Sequence, residues 1–291
     1  MFCVPHSKKA RSGKIRLNGP CSLFCRLVQP ATLLTIPGKK DSKLREIYKI
    51  AGHVFAIDTI YEDTHRLCRN YRSDEEPEFT VATTQEDIDK EEAATIKEYR
   101  LENIPFEPLP AGNYEMMAVY MKAAETLLQR DIILCHGSTL AVDNCAYMFI
   151  AKSGTGKSTH SKMWRELLGS EVTMVNDDKP LVQIGDKGVT AYGTPWNGKH
   201  RLGENIAVPL KGICILRRGE KNTIRQISLS EAYPMLLQQV YRVPGRENIK
   251  KEMTLIDRMA PFVQFYDMSC NISTEAAEMA YKEMHGGERL K

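Results

Sequence analysis

A glycine-rich segment that ends in lysine and serine is the strongest chemical signal in the sequence. Residues 151–158 read Ala-Lys-Ser-Gly-Thr-Gly-Lys-Ser. They match the phosphate-binding pattern G-x-x-x-x-G-K-S/T, with Ala151 in place of the first glycine. An apolar stretch precedes the segment and a helical pattern follows it. Backbone N–H groups of such a loop and of the following helix N-terminus point at phosphate oxygens, so the segment predicts a site for ATP or GTP.

Nine consecutive residues form the predicted nucleotide-binding set. Lys157 would bridge the β- and γ-phosphates, and the Ser158 hydroxyl would bind Mg²⁺. The full set is Ala151, Lys152, Ser153, Gly154, Thr155, Gly156, Lys157, Ser158 and Thr159. The alternative is a glycine-rich strand-to-helix turn that binds nothing. The strand before the loop and the helix after it favour the phosphate site.

A pair of carboxylates follows the next predicted strand, residues 172–175. Asn176, Asp177 and Asp178 come directly after it. A strand packed beside the phosphate-loop strand would deliver both carboxylates to the γ-phosphate side of the site. One acid could then hold Mg²⁺ while the other accepts a proton from an attacking hydroxyl group. A solvated turn before Pro180 is the alternative, since Asp-rich turns are common.

Three elements in this order resemble a known family. His136-Gly137 lies 21 residues before Lys157, as a His-Gly pair does in the HPr kinase/phosphorylases. The segment 151–158 is similar to the G-D-S-G-x-G-K-S loop of that family, and residues 176–178 are similar to its A-D-D strand end. The resemblance covers residues 131–230. It implies the nucleotide-binding fold that these kinases share with phosphoenolpyruvate carboxykinases.

The resemblance also implies roles for individual residues. It implies transfer of the γ-phosphate to a serine hydroxyl group, with Asp177 as the base and with Lys157 and His136 in the catalytic set. The implied metal ligands are Ser158, Asp178 and Glu204. Residues 192–204 lack the Glu-Ile-Arg-Gly stretch of the family, and the N-terminal part does not match the family's N-terminal domain. The predicted acceptor is therefore a serine of a peptide or protein, or a small hydroxyl compound.

Further polar residues have two interpretations each. The loop of residues 193–201 contains two glycines, Trp196, Lys199, His200 and Arg201. It could close over the phosphates, with Lys199 or Arg201 stabilising charge on the transferring group, or it could be a connection with Trp196 packed on the core. His136 could orient an acid or a phosphate, or serve a structural role. His160, in the helix after the loop, could stack near the nucleotide base or face solvent, and the favoured prediction is that it faces solvent.

The elements that must position these residues predict a mixed α/β fold with a mixed sheet. A helical pattern runs from Asn113 to Arg130 with one apolar face, and another covers residues 157–168 and stops at Gly169. The predicted strands are residues 132–134, 139–142, 146–150, 172–175, 211–216, 223–227 and 262–268, with a hairpin around 185–188. Helices from Ser230 through Val240 and over residues 273–285 complete the order.

The chain is predicted to have three parts. Residues 1–45 form a basic extension that is expected to be disordered. Residues 46–112 form a small β-rich module, with strands at 48–57 and 78–83 and a connection over 85–111 that contains three prolines. Residues 113–291 form the HPr kinase-like P-loop domain.

Charge and composition narrow the function classes. Residues 1–45 hold ten Lys or Arg and one acid, which leaves 30 bases and 36 acids over residues 46–291, a net charge of −6. This part lacks the basic charge expected of many nucleic-acid-binding domains. The sequence has no apolar run long enough to span a membrane, and its eight scattered cysteines form no zinc pattern. The predicted location is the cytoplasm, and homo-oligomerisation stays open.

The predicted function is that of an ATP-dependent kinase that phosphorylates a hydroxyl group with the help of Mg²⁺. Two other classes remain open from the residues. One is an NTPase or a carboxykinase-type enzyme that uses the same loop. The other is a non-catalytic module that senses ATP or GTP and reports to a partner.

Overall fold

The computed structural model describes residues 43–101, 103, 105–198 and 200–286. The predicted basic extension lies outside these residues except for its last three, and Lys199 lies outside them too. Leu44 and Arg45, which the sequence assigns to the extension, are already part of the first strand, β1 (Leu44–Ile50). No helix in the described part of the chain is long and apolar enough to cross a membrane.

A three-stranded sheet forms the N-terminal part of the described chain. β1 pairs antiparallel with β2 (His53–Thr59), and β2 pairs parallel with β3 (Phe79–Ala82). The prediction of one strand over residues 48–57 is wrong, because the chain turns at Ala51-Gly52, where both residues have positive φ. Such a two-residue turn matches the twist of an antiparallel hairpin. A short helix, α1 (Asp63–Leu67), follows β2.

Two helices lie between the small sheet and the rest of the chain. α2 (Gln85–Leu101) replaces the predicted connection, and α3 (Ala111–Leu128) confirms the predicted helix within two residues at each end. Glu115 of α3 is fully buried. Its carboxylate accepts hydrogen bonds from the backbone N–H groups of Ile60 and Tyr61 at 2.6 and 2.8 Å, and from the Thr83 hydroxyl group at 2.6 Å. These bonds tie α3 to the ends of β2 and β3.

A nine-stranded mixed sheet forms the larger part of the fold, which confirms the predicted mixed α/β class. Its strands are β4 (Ile132–Leu134), β5 (Ser138–Val142), β6 (Cys145–Ile150), β7 (Val172–Asn176), β8 (Leu181–Ile184), β9 (Val189–Tyr192), β10 (Ala207–Arg218), β11 (Thr223–Ile227) and β12 (Gln264–Cys270). The order is β4-β8-β9-β10-β6-β5-β7, and β12 pairs with both β10 and β11. β10 runs parallel to β6 and to β12.

Helices cover both faces of this sheet. They are α4 (Lys157–Leu168), α5 (Leu229–Gln239), α6 (Arg246–Met259) and α7 (Thr274–His285). Alternate residues of β6 point to opposite faces, as strand geometry requires. Met148 and Ile150 pack in a core with α3, α5 and α6, whereas Tyr147 and Phe149 pack in a second core with α4 and α7.

The predicted helix over residues 157–168 is confirmed by α4. Ser228 caps α5 in place of Ser230, and α6 was not predicted.

The predicted position of β7 beside β6 is wrong. β5 lies between them and is antiparallel to both. β6 and β7 therefore run in the same direction, and their C-terminal ends meet the start of β5 at one edge of the sheet. At the opposite edge, the hairpin of β5 and β6 turns at Asp143-Asn144, where both residues have positive φ. The loop that follows β6 and the acidic end of β7 therefore lie at the same edge of the sheet, as expected, but with one strand between them.

Glu252 of α6 is a buried carboxyl group that should make stability depend on pH. It is 3% exposed and accepts a hydrogen bond from the Val243 N–H group at 2.7 Å. Burial raises the pKa of this carboxyl group to about 7. A raised folded-state pKa means that the folded chain binds the proton more tightly, so stability is lost as pH rises from about 4.5 to 7. We expect Glu252→Gln to stabilise the protein by about 1–3 kcal/mol at pH 8, and by much less at pH 5.

Thermal unfolding at pH 5 and pH 8 tests this expectation. Glu247→Gln is the matched control, because Glu247 is an exposed carboxylate on the same helix. A melting-temperature gain of equal size at both pH values would show that ionisation of Glu252 is not the cause.

Candidate functional site

Two glycines give the loop between β6 and α4 an unusual backbone conformation. Gly154 and Gly156 have φ of 73° and 123°, a region that residues with side chains rarely adopt. A Cβ atom at Gly154 would meet nothing within 4 Å, so its backbone is open on that side. Ala151, which replaces the first glycine of the pattern, is fully buried in the core beneath α4. Its methyl group therefore serves packing.

The N-terminus of α4 faces the loop without a side-chain cap. Gly156 is the N-cap residue and has no side chain to accept a hydrogen bond from the first turn. The first N–H groups of a helix have no partner inside the helix, and the helix dipole favours negative charge at this end. The turn beginning at Lys157 therefore offers donors and a favourable field to an anion.

An arginine from a distant strand holds the other side of the loop. Arg218, the last residue of β10, donates from Nε to the Thr155 carbonyl oxygen at 3.3 Å and from Nη2 to the Gly154 carbonyl oxygen. Because β10 runs parallel to β6, the two strands end at the same edge. The phosphate-loop pattern contains no signal for this residue, and it was not predicted.

A hydrogen-bonded turn fixes the end of β7. The Asn176 side chain is fully buried, donates to Thr194 Oγ1 at 3.0 Å and accepts from the N–H groups of Asp178 and Lys179 at 2.8 and 2.5 Å. Thr194 Oγ1 in turn donates to the Lys179 carbonyl oxygen at 2.8 Å. This turn sets where the two neighbouring carboxylates lie. Asn176 was recognised only as part of the acidic motif, and Thr194 was not predicted.

Asp177 is half-buried and points at the loop of residues 193–206. Its Oδ1 atom accepts a hydrogen bond from the Gly198 N–H group at 2.8 Å. A Cβ atom at Gly198 would lie 3.0 Å from Oδ2, so glycine allows this close approach. Burial raises the pKa of the Asp177 carboxyl group above its usual value, and the Gly198 hydrogen bond opposes the rise. A carboxylate with a raised pKa is a better proton acceptor.

Asp178 is deeply buried and already carries partners. Its Oδ2 atom pairs with the ammonium group of Lys179, and both residues are 2% exposed. Its Oδ1 atom lies 3.5 Å from His136 Nε2. Burial, followed by the charge of Lys157, lowers the pKa of His136 to about 3, so its imidazole ring is neutral near pH 7. Lys179 was not predicted, and it makes Asp178 part of a buried ion pair.

The loop after β6, the start of α4, the end of β7 and the loop of residues 193–206 enclose a cleft of about 830 Å³. This volume is typical of small-molecule sites. The predicted site residues that line it are His136, Ser153, Gly154, Gly156, Lys157, Ser158, Thr159, Asp177 and Asp178. Burial lowers the pKa of Lys157 to about 8, and the Asp178 charge opposes this shift. The cleft therefore brings together the helix N-terminus, Lys157 and two carboxylates.

Four other predicted site residues do not line this cleft. Ala151 is buried beneath it, while Lys152, Thr155 and Glu204 are absent from its walls. Glu204 is exposed, and its backbone N–H donates to the Met174 carbonyl oxygen of β7 at 3.1 Å. Its role as a metal ligand stays a prediction.

The structure decides whether His160 faces solvent and whether Trp196 packs on the core. His160 does not face solvent: it is 2% exposed, accepts a hydrogen bond from Trp164 Nε1 at 3.2 Å and packs edge-on against Phe149. Trp196 is buried against Tyr120, with the ring centroids 5.9 Å apart. Its loop is thus anchored to the core through Trp196, while Gly198 and His200 line the cleft.

The donor atoms in the cleft fit a magnesium ion that is shared with phosphates. In the described part of the chain, no group of three or more His, Cys, Asp or Glu side chains could hold a metal. Mg²⁺ beside phosphates takes only one or two protein ligands and completes its shell with water. The buried Oδ1 atom of Asp178 has no hydrogen-bond donor among the described residues, and the Ser158 hydroxyl group lies in the same cleft.

Comparisons with known proteins identify no family. No protein-family model matches the chain, and no curated protein matches it. Among the solved structures that match is one described as the Hpr(Ser) kinase/phosphatase from Coxiella burnetii. The match has 9% sequence identity and a TM-score of 0.29, and it covers 53% of this chain and 97% of that chain. A similarity of this size transfers neither an activity nor a cofactor.

Proposed function

We propose that the protein is a magnesium-dependent kinase. It transfers the terminal phosphate of ATP or GTP to a hydroxyl group of a peptide, a protein or a small molecule. The observation that carries the proposal is the convergence of an uncapped helix N-terminus, Lys157 and Asp177 on one cleft.

The nucleotide's phosphates would lie against the loop of residues 151–156 and the first turn of α4. The backbone N–H groups supply hydrogen bonds, and the Lys157 ammonium group neutralises charge on the β- and γ-phosphates. Ser158 and Asp178 would hold Mg²⁺, which neutralises charge on the same phosphate oxygens.

Asp177 is the proposed base. As the acceptor oxygen forms its bond to the γ-phosphorus atom, the bond from that phosphorus to the leaving nucleoside diphosphate breaks. The hydroxyl proton passes to the Oδ2 atom of Asp177, while Oδ1 keeps its hydrogen bond from the Gly198 N–H group. The raised pKa of Asp177 suits this role.

A transfer assay with nucleotide labelled at the γ-phosphate tests the proposal. Serine-containing peptides and small hydroxyl compounds serve as acceptors, with and without Mg²⁺. Labelled acceptor supports the kinase. Free phosphate without labelled acceptor would instead indicate an NTPase, and tight binding without turnover would indicate a nucleotide sensor.

Lys157→Ala should weaken nucleotide binding without unfolding the protein. The substitution removes a charged contact to the β- and γ-phosphates, worth roughly 1.5–3 kcal/mol, or about 10- to 150-fold in Kd. Calorimetric titration with a non-hydrolysable ATP analogue measures the change. Lys187→Ala is the matched control, because Lys187 is exposed on the distant hairpin between β8 and β9. Equal affinity of the Lys157→Ala variant and the wild-type protein would rule out the phosphate cradle.

A further inference from the structure

A second cleft, of about 510 Å³, is rich in arginine and shares the loop of residues 193–206 with the cleft at the N-terminus of α4, called the phosphate cleft below. Its walls come from β1, from α1 and the residues that follow it, from α3 and from the loop of residues 193–206. Five arginines line it: Arg45, Arg66, Arg69, Arg72 and Arg201. Three acidic residues also line it, Glu46, Glu62 and Asp63. The lining side chains therefore leave an excess of two positive charges, while residues 46–291 as a whole carry −6.

Three of the arginines have acidic partners. Arg45 pairs with Asp58, Arg66 with Glu62 and Arg72 with Glu46, at 3.0, 3.0 and 2.7 Å. Arg69 and Arg201 are exposed and have no acidic partner within 4.0 Å among the described residues. They are the unpaired cations of this cleft.

One arginine of the cleft already binds a carboxylate of the chain. Arg72 donates from Nε and Nη2 to the two carboxylate oxygens of Glu46, at 2.8 and 2.7 Å. This is the two-pronged geometry in which a guanidinium group binds a carboxylate. Arg69 and Arg201 offer the same fork to a carboxylate from outside the chain.

The loop of residues 193–206 is a shared wall of both clefts. His200 lines the phosphate cleft, and the next residue, Arg201, lines the second cleft. Arg201 has φ of 49°, a left-handed conformation that is uncommon for residues other than glycine. Arg201 belongs to the same loop as Gly198, whose N–H group donates to Asp177. A molecule bound at Arg201 therefore contacts the loop that also contacts Asp177.

We propose that this second cleft binds carboxylate groups of the phosphate acceptor. The inference rests on the proposed kinase function. It defines the substrate class as an acidic, hydroxyl-bearing compound whose carboxylates pair with Arg69 and Arg201 while its hydroxyl group reaches Asp177. The carboxylates belong either to an acidic peptide segment or to a small polycarboxylate.

Binding measured without nucleotide tests the cleft separately from the kinase activity. The probes are a fluorescein-labelled hexa-aspartate peptide, followed by fluorescence anisotropy, and citrate, followed by calorimetry, both with the full chain at low salt. We expect Arg69→Ala and Arg201→Ala each to weaken binding by about tenfold, as the loss of one charged hydrogen-bonded contact predicts. Arg246→Ala, an exposed arginine at the start of α6, is the matched control and should bind as the wild-type protein does.

The outcomes separate the two proposals. Binding of the peptide alone assigns the cleft to a polypeptide acceptor, and binding of citrate alone assigns it to a small acid. The cleft proposal is overturned if neither probe binds, or if Arg69→Ala and Arg201→Ala bind as well as Arg246→Ala does. Failure of the wild-type protein to bind ATP or GTP would overturn the kinase proposal and would leave the carboxylate measurement standing by itself.

Discussion

Asp177→Asn is expected to bind the magnesium nucleotide almost normally and to lose phosphate transfer by roughly 10²–10⁴-fold, the usual contribution of a general base. Asparagine keeps a carbonyl oxygen that can accept the hydrogen bond from the Gly198 N–H group, so the loop of residues 193–206 should keep its position. It cannot take a proton from the acceptor hydroxyl group. The substitution therefore removes proton transfer and leaves the structure of the cleft unchanged.

Two measurements are needed for this variant. Nucleotide titration gives the affinity, and single-turnover transfer of labelled γ-phosphate gives the rate. Asp74→Asn is the matched control, because Asp74 is exposed in the segment before β3. Wild-type transfer by the Asp177→Asn variant would exclude Asp177 as the base. A large loss of affinity with an unchanged rate would assign it to nucleotide binding instead.

Asp178→Asn is expected to destabilise the fold itself by about 3–5 kcal/mol, the usual cost of breaking a buried ion pair. Lys179 is 2% exposed, and its ammonium group would lose its carboxylate partner. The nearby Tyr120 ring, whose centroid lies 5.5 Å from Lys179 Nζ, cannot replace a full negative charge. Mg²⁺-dependent binding by this variant must therefore be measured at a temperature at which the variant is still folded. Otherwise, unfolding alone would account for a loss of binding.

A double variant distinguishes lost pairing from lost metal binding. Asp178→Asn combined with Lys179→Met removes both charges and keeps an unbranched side chain against Tyr120. We expect it to be more stable than Asp178→Asn alone, while Mg²⁺-dependent nucleotide binding remains weak. Urea unfolding of the two single variants and the double variant gives the coupling energy. Strict additivity would show that the two side chains do not interact.

The local part of the site was predictable because its determinants are contiguous in the sequence. The loop pattern of residues 151–158 requires only the apolar strand before it and the helix after it, and both were found. The supporting contacts were not predictable, because they join distant segments. Thr194 lies 18 residues after Asn176, and Arg218 lies 64 residues after Gly154. Sheet pairing, which the sequence pattern does not specify, brings these residues together.

The same reason explains the errors in the fold. Three prolines at 105, 108 and 110 made the segment before α3 look like a connection. They follow α2 instead, and residues 85–101 contain no glycine or proline and many good helix formers. The place of β7 was missed because sheet order does not follow chain order: the hairpin of β5 and β6 puts β5 on the side that β7 then joins.

The hairpin turn at Asp143-Asn144 offers a place for labelling and immobilisation. Both residues are exposed, and the six residues of β6 separate the turn from Ala151, a span of about 20 Å at the usual rise of a strand. A short tag inserted between Asp143 and Asn144 would fix the molecule to a sensor surface with the phosphate cleft free. A fluorophore there would lie within energy-transfer range of a labelled nucleotide, so binding could be followed without a catalytic assay.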